Sequence, residues 1–224
     1  MNEFSYYMPT EVLFGRDCVI QQGARLKELG SHALIVTGRS SAGNGALGDV
    51  LAALEANGQT ATVFDRVMPN PTVACVREGV ALLRAAGADF IVAAGGGSPM
   101  DAAKAIATLA VQDRPDGEIF AGGYAAEALP MAHIPTTAGT GSEVTPHAIL
   151  TNDEKQTKTS ITSPAMFPRL AFLDGKYMEH LPVASTVNTA LDAFSHAVEG
   201  MLSRRTTPVS DALAMESLRV LYPL

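Results

Sequence analysis

The chain has 224 residues, of which 47% are hydrophobic and 17% charged, and its net charge at pH 7 is −7. This composition is typical of a well-buried globular enzyme and excludes a disordered chain. The acidic balance argues against nucleic acid or an anionic membrane as the main partner. Since no bilayer-length apolar run or signal peptide is present, and Cys18 and Cys75 lie far apart, we expect a cytoplasmic protein with reduced thiols.

Apolar runs and segments of helical periodicity alternate through the first half of the chain. The predicted elements are strand 33–37, helix 43–56, strand 61–64, a helix from Pro71 to Gly87, strand 90–94 and a helix over 102–111. Short strands are predicted further on, at 131–134, 148–150 and 170–173. This order predicts an α/β fold, in which a parallel sheet carries helices on both faces.

The pattern changes near residue 183, and from Ser185 the chain is predicted to be helical, with a second helix starting at Pro208. We therefore predict a Rossmann-like domain over 1–183 and the start of an all-helical domain over 184–224. Two helices cannot build a core of their own. Their apolar faces must cover the first domain, pair with another subunit or meet residues beyond Leu224. We expect the third, which makes the second domain incomplete and the chain an N-terminal fragment.

The strand over 90–94 runs directly into three glycines at 95–97, and a helix is predicted to follow. Glycines let the backbone approach an anion closely, and a helix N-terminus presents free N–H groups to it. Ser98 as N-cap, Pro99 as first helical residue and Asp101 three residues after the cap predict a capping box. The motif favours a phosphate-binding turn, and the alternative is a turn that only packs the helix on its strand.

A second glycine cluster, PTTAGTGSE over 135–143, follows the strand that ends at Ile134. Its hydroxyl groups can hydrogen-bond ribose or phosphate oxygens, although an ordinary polar connection has the same composition. Ligands of open α/β sheets bind outside the carboxyl ends of the strands. We therefore expect the two glycine loops to form one binding edge.

Asp192 and His196 are four residues apart on a predicted helix, which puts them on one face, one turn apart. A carboxylate and an imidazole so placed can bind Fe²⁺ or Zn²⁺, and the alternative is an ion pair on the helix surface. Two ligands do not complete a catalytic site, which generally takes three from the protein. No histidine follows His196. Of the earlier histidines, His32 is predicted in a turn and His133 in a strand. His147 and His180 are predicted in connecting segments.

These segments resemble the signatures of the iron-containing (group III) alcohol dehydrogenases. The resemblance rests on GGGSPMDAAK at 95–104, PTTAGTGSE at 135–143, KTSITSP at 158–164 and DAFSHAVE at 192–199, and it extends from Pro9 to the last residue. It implies a dinucleotide-binding domain, a helical domain and a divalent metal between them, iron or zinc. The activity it implies is hydride transfer between NAD(P) and a small alcohol or aldehyde. Apart from the resemblance, the apolar final helices favour association, and we expect a homo-oligomer.

The resemblance also implies roles for single positions. Asp192 and His196 match the first two metal ligands, and the family takes two further histidines from later helices. Lys158 matches a lysine near the nicotinamide ribose, although a solvated lysine is the alternative. The implied cofactor-binding residues are Gly38, Arg39, Ser40, Ser41, Gly95, Gly96, Gly97, Ser98, Asp101, Thr136, Thr137, Thr140 and Ser142.

The segment after the first predicted strand departs from the NAD-preferring members of the family, which carry an acidic residue there. This chain has Arg39 followed by two serines. A carboxylate would bond the ribose 2′-hydroxyl and repel a 2′-phosphate. Its absence favours NADP over NAD, unless Arg39 simply points into water.

Two other functions stay open at this point. The missing metal ligands and the abrupt end are also compatible with a nucleotide-binding remnant that catalyses nothing. A lyase similar to dehydroquinate synthase shares the architecture and uses NAD and zinc, but the loop over 135–143 fits the alcohol dehydrogenases better. The sequence therefore predicts a metal-activated, NADP-dependent dehydrogenase.

Overall fold

The structure is a computed structural model that describes residues 3–39, 43–152 and 155–222. Its strands are β1 (Glu11–Phe14), β2 (His32–Thr37), β3 (Thr60–Phe64), β4 (Phe90–Gly95), β5 (Met131–Pro135), β6 (His147–Asn152), β7 (Thr157–Thr162) and β8 (Leu170–Leu173). Its α-helices are α1 (Cys18–Gln22), α2 (Ala46–Asn57), α3 (Val73–Ala86), α4 (Gly97–Val111), α5 (Val183–Leu202) and α6 (Pro208–Leu221).

Six strands form one parallel sheet in the order β1-β8-β5-β4-β2-β3. Alternate residues of β2 pack on opposite faces: Leu34 joins a core with α3 and α4, and Ile35 joins a second core with α1 and α2. Every residue of β4 is buried, which explains its continuous apolar run. The predicted α/β fold with a parallel sheet is confirmed.

The capping box predicted at the start of α4 is wrong. The helix begins at Gly97, and its N-cap, Gly96, makes no side-chain capping bond. The hydroxyl of Ser98 instead accepts a hydrogen bond from the backbone N–H of Asn70 at 3.3 Å. Asp101 turns away to Ser142, whose Oγ donates to it at 2.6 Å. Partners distant in sequence replace the local cap in both cases.

Three further elements differ from their predicted limits. Helix α2 begins at Ala46, because the preceding residues turn through Gly45 at a φ of 87°. Strand β6 is longer than predicted and pairs with the unpredicted antiparallel strand β7. The sequence of β7, TKTSIT, shows no apolar run that would predict a strand, because Ile161 is its one buried residue.

The last two helices lie outside both cores. Helix α5 begins at Val183, two residues before the predicted start, and neither α5 nor α6 contains a buried residue. Helix α5 contacts the loop after β5, since a Cβ added to Gly139 would lie 2.7 Å from the carbonyl oxygen of Thr189. The division into domains at residues 183 and 184 stays a prediction. No helix in the described part of the chain is long and apolar enough to cross a membrane.

Candidate cofactor and metal cleft

The two glycine loops lie side by side at the carboxyl edge of the sheet. Strands β4 and β5 are neighbours, and the N–H of Thr136 donates to the carbonyl oxygen of Gly95 at 2.9 Å. A Cβ on Gly96 would lie 3.2 Å from Thr137 Oγ1, and one on Gly97 would lie 2.9 Å from Thr140 Cγ2. The glycines therefore leave room for the threonine loop, and the two loops together form one polar edge.

A first cleft, of about 690 Å³, opens on one side of the glycine turn, and we call it the Arg39 cleft. Its lining includes Gly38 and Arg39, the glycine turn from Gly96 to Pro99, and Thr136 and Thr137. A Cβ on Gly38 would lie 3.2 Å from the carbonyl oxygen of Val67, so the chain passes closely there. Of the predicted cofactor residues, Ser40 and Ser41 lie outside the described residues.

Two more clefts are linked to the Arg39 cleft through shared lining residues. A middle cleft of about 230 Å³ shares Gly97 and Ser98 with the Arg39 cleft. It shares Asp101, Thr140 and Lys158 with a third cleft of about 1330 Å³, called the Asp192 cleft because α5 contributes Asp192 and His196 to it. Shared lining residues thus link the three clefts into one path, with the glycine turn between the Arg39 cleft and the Asp192 cleft. This arrangement suits an extended ligand with an anionic centre.

The metal-ligand candidates are close together and accessible. Asp192 Oδ1 lies 3.8 Å from His196 Nε2, and their side chains are 45% and 54% exposed. This separation exceeds a hydrogen bond, so both atoms can serve as donors to a third partner. Among the described residues, no group of three or more His, Cys, Asp or Glu side chains is placed to hold a metal. The two side chains are therefore of the right chemical type to bind a metal, but two ligands are too few for a complete site.

A buried polar network lies behind the Asp192 cleft. Lys104 of α4 is fully buried, and its Nζ donates to Ser142 Oγ at 2.8 Å. Both carboxylate oxygens of Asp101 are bonded, since Ser142 Oγ donates to one and the N–H of Ile149 to the other at 3.2 Å. Burial raises the pKa of Asp101, although the bond from Ser142 and the charge of Lys104 oppose this. Asp101 thus lines the cleft with its oxygens already engaged.

Comparison with known proteins places this chain in a family. Residues 9–175 match the family model described as iron-containing alcohol dehydrogenase. The chain belongs to this family. It is 35% identical over 217 residues to lactaldehyde reductase of Escherichia coli strain K12, covering 93% of the chain and 56% of that enzyme. The chain thus spans about half the length of the curated relatives it matches.

Two solved structures share the fold. An iron-containing alcohol dehydrogenase of Thermotoga maritima matches with a TM-score of 0.93 and 43% identity, over 99% of this chain and 61% of that one. Sulfoacetaldehyde reductase of Bifidobacterium kashiwanohense in complex with NAD⁺ matches with a TM-score of 0.85 and 32% identity, over 96% of this chain and 57% of that one. Both likenesses run through α5 and α6, which lie beyond the part matched by the family model.

Sequence reasoning missed several residues that line these clefts or lie near them. Lys176 and Tyr177 line the Arg39 cleft, and both bond Asp49, at 2.7 Å from Lys176 Nζ and 2.8 Å from the Tyr177 hydroxyl. Lys104 could have been found from the sequence, because it is a single charged residue in the alanine-rich run that follows the glycine turn. His32 and His147 begin strands β2 and β6, where a turn and a connection were predicted.

Proposed function

We propose that this protein is an NADP-dependent dehydrogenase of small alcohols or aldehydes. The observation that carries the proposal is the path of three clefts linked by shared lining residues. Arg39 lines the first cleft, Gly97 and Ser98 line the first and the second, and Asp192 and His196 line the third. Membership of the iron-containing alcohol dehydrogenase family supports it. Lactaldehyde reductase and the NAD⁺ complex of sulfoacetaldehyde reductase favour this reading over a lyase or a non-catalytic remnant.

The glycine turn is the expected site of the diphosphate. The first turn of α4 presents the N–H groups of Gly97 and Ser98, and the helix dipole adds partial positive charge. A residue with a Cβ at position 96 or 97 would press on the threonine loop, so the backbone can approach the phosphates only with glycine there. Arg39 would hold the 2′-phosphate.

The threonine loop and Lys158 are the expected contacts of the nicotinamide riboside. Thr140 and Lys158 line both the middle and the Asp192 clefts. When bound, the nicotinamide supplies or accepts the hydride. The protein's part is to orient the two reacting carbons and to exclude water from them.

Asp192 and His196 are proposed as metal ligands for Fe²⁺ or Zn²⁺. A hard carboxylate and an imidazole suit either ion, and both side chains line the cleft that would receive the nicotinamide. In this family role the ion acts as a Lewis acid toward the substrate oxygen. The described residues place no third donor beside them, so we assign no reaction step to the ion.

Titration with NADPH and NADH tests the cofactor site, using the fluorescence of the reduced nicotinamide. We expect NADPH to bind about tenfold more tightly, since Arg39 makes a charge-assisted bond to the 2′-phosphate. Arg39→Ala should remove this preference, while Arg205→Ala, at an exposed arginine in the turn between α5 and α6, should leave it. Equal affinities in the wild type would refute the NADP preference, and no binding of either nucleotide would refute the site.

The reaction itself is tested by turnover of small aldehydes with NADPH by the purified protein. Turnover would exclude the non-catalytic alternative. A cytoplasmic location and association between copies also remain proposals. The first is supported by the free thiols of Cys18 and Cys75, and the second by the exposed apolar side chains of α5 and α6.

A further inference from the structure

Lys104 is a buried cation to which the proposed function assigns no role. It lies on α4 between Ala103 and Ala105, and all three residues are fully buried. Burying an ammonium group is costly unless hydrogen bonds and opposite charges compensate it. An apolar residue would be less costly at this position in the core, so the contacts of the ammonium group must offset the cost of burying it.

The three donors of the ammonium group are matched by three acceptors. Nζ donates to Ser142 Oγ and to the carbonyl oxygen of His147, each at 2.8 Å, and to Thr145 Oγ1 at 3.3 Å. A lysine ammonium has three N–H donors and no acceptor, so these three acceptors satisfy all of its hydrogen-bonding groups. All three acceptors belong to residues 142–147, which link the threonine loop to β6. Lys104 therefore fastens that segment to the helix that carries the glycine turn.

The fastened residues lie at one end of the cofactor path. Ser142, Thr145 and His147 line the Asp192 cleft, and none of them lines the Arg39 cleft. Ser142 extends the linkage, because its hydroxyl donates to Asp101, which lines the middle and Asp192 clefts. Loss of the ammonium should therefore disturb the nicotinamide end and spare the adenosine end.

We propose that Lys104 is a positioning residue that fixes residues 142–147 and Asp101 at the nicotinamide end of the cofactor cleft through its three hydrogen bonds. The proposal rests on the proposed function, since it needs a dinucleotide in the path of clefts. Lys104 does not itself line any of the three clefts. It acts through the residues that it holds.

The surroundings of Lys104 also predict how its role depends on pH. Carboxylates of Asp101 on α4 and Glu143 on the loop favour the ammonium, while burial lowers its pKa to about 8. Burial, together with the charge of Lys104, lowers the pKa of His133 on β5 and of His147 on β6, so protonation of either neighbour is disfavoured beside the ammonium. The ammonium is present below about pH 8, and above it one of the three donors is lost.

The test compares two ligands on the intact chain. NADPH occupies the whole path, and adenosine 2′,5′-bisphosphate occupies only the Arg39 end. Lys104→Met, which keeps the length of the side chain, should weaken NADPH about tenfold and leave the affinity for the bisphosphate unchanged. The exposed Lys27→Met is the control and should alter neither. In the wild type, NADPH affinity should fall between pH 7 and 9 and that of the bisphosphate should not, and the variant should lack this dependence.

The outcomes separate this proposal from the proposed function. If the wild type binds neither ligand, the cofactor site itself is wrong. If it binds both and Lys104→Met weakens both equally, or neither, the positioning role is wrong and the function stands. If Lys104→Met does not fold, Thr145→Val removes one bond and keeps the cation. It should weaken NADPH alone by about threefold, and an equal effect on both ligands would overturn the proposal.

Discussion

His133 is a fully buried side chain that makes stability depend on pH. It lies on β5 between Ala93 of β4 and Ala171 of β8. Neither ring nitrogen has a hydrogen-bond partner within the described residues. Burial, together with the charge of Lys104, holds the pKa of His133 well below its ordinary 6.5. The imidazole is therefore neutral in the folded protein and takes up a proton only on unfolding.

Replacing His133 by Leu should make unfolding less dependent on pH. In the unfolded chain this histidine is protonated below about pH 6.5, so the folded state loses stability as the pH falls below that value. The residue should contribute up to about 1.4 kcal/mol of destabilisation per pH unit. Urea unfolding at pH 7, 6 and 5 measures the slope, with Met131→Leu on the same strand face as the packing control. An identical slope in His133→Leu and wild type would contradict this.

The turn from β4 to α4 shows how one element junction creates the binding edge. A Cβ on Gly95 would lie 2.6 Å from Cγ of Pro99, a ring atom that cannot swing aside, and the φ of Gly95 is 157°. Because the turn is this tight, α4 begins at Gly97, directly after the carboxyl end of β4 and beside the threonine loop. Strand, glycines and proline therefore together fix the position of the helix N-terminus at which we propose that phosphate binds.

Gly95→Ala should disturb folding and binding together. The added methyl group forces Pro99 or the backbone to shift, at a cost of about 1–3 kcal/mol in the free energy of unfolding. The shift should also weaken NADPH binding, since it moves the N-terminus of α4. Gly48→Ala, within α2 and with open space around it, should instead stabilise by about 0.5–1 kcal/mol and leave binding unchanged. Urea unfolding and nucleotide titration check both variants, and wild-type values for Gly95→Ala would disprove this account of the turn.

At the scale of the whole molecule, the cofactor path joins two parts that differ in their packing. The sheet carries a buried core on each face, whereas α5 and α6 contain no buried residue. Helix α5 carries Asp192 and His196 and touches the threonine loop where Thr189 meets Gly139. On the proposed function, we therefore expect cofactor binding to depend mainly on the sheet part, and metal binding on α5.

Metal titration of the chain saturated with NADPH tests this division. With two protein donors, we expect Fe²⁺ or Zn²⁺ to bind no more tightly than roughly 10 μM, since water fills the remaining positions. His196→Ala should abolish this binding and leave NADPH affinity unchanged. Anaerobic calorimetry measures both. Tight binding that His196→Ala removes would show that further donors complete the site, and binding that survives the substitution would exclude His196 as a ligand.

The features predicted correctly from the sequence are those that depend on residues close together in the chain. Alternating apolar runs and helical periods predicted the parallel sheet, because burial of an apolar face is governed by residues two to four positions apart. The glycine turn and the threonine loop were predicted in the same way, as short motifs whose backbone freedom is local. The pair Asp192 and His196 needed only the helical repeat.

What only the tertiary structure decided involves partners far apart in the chain. Lys104 bonds Ser142, 38 residues away, and Asp101 bonds the N–H of Ile149, 48 residues away. These contacts take the place of the predicted capping box. If the carboxylate of Asp101 capped α4 instead, the hydroxyl of Ser142 and the N–H of Ile149 would lose the acceptor that they have in the structure. The link between the three clefts likewise depends on strand order, which brings the loops after β2, β4 and β5 together, and on the separate β6-β7 pair, which carries Lys158. The sequence determined each motif, and packing across the sheet determined which motifs share a ligand.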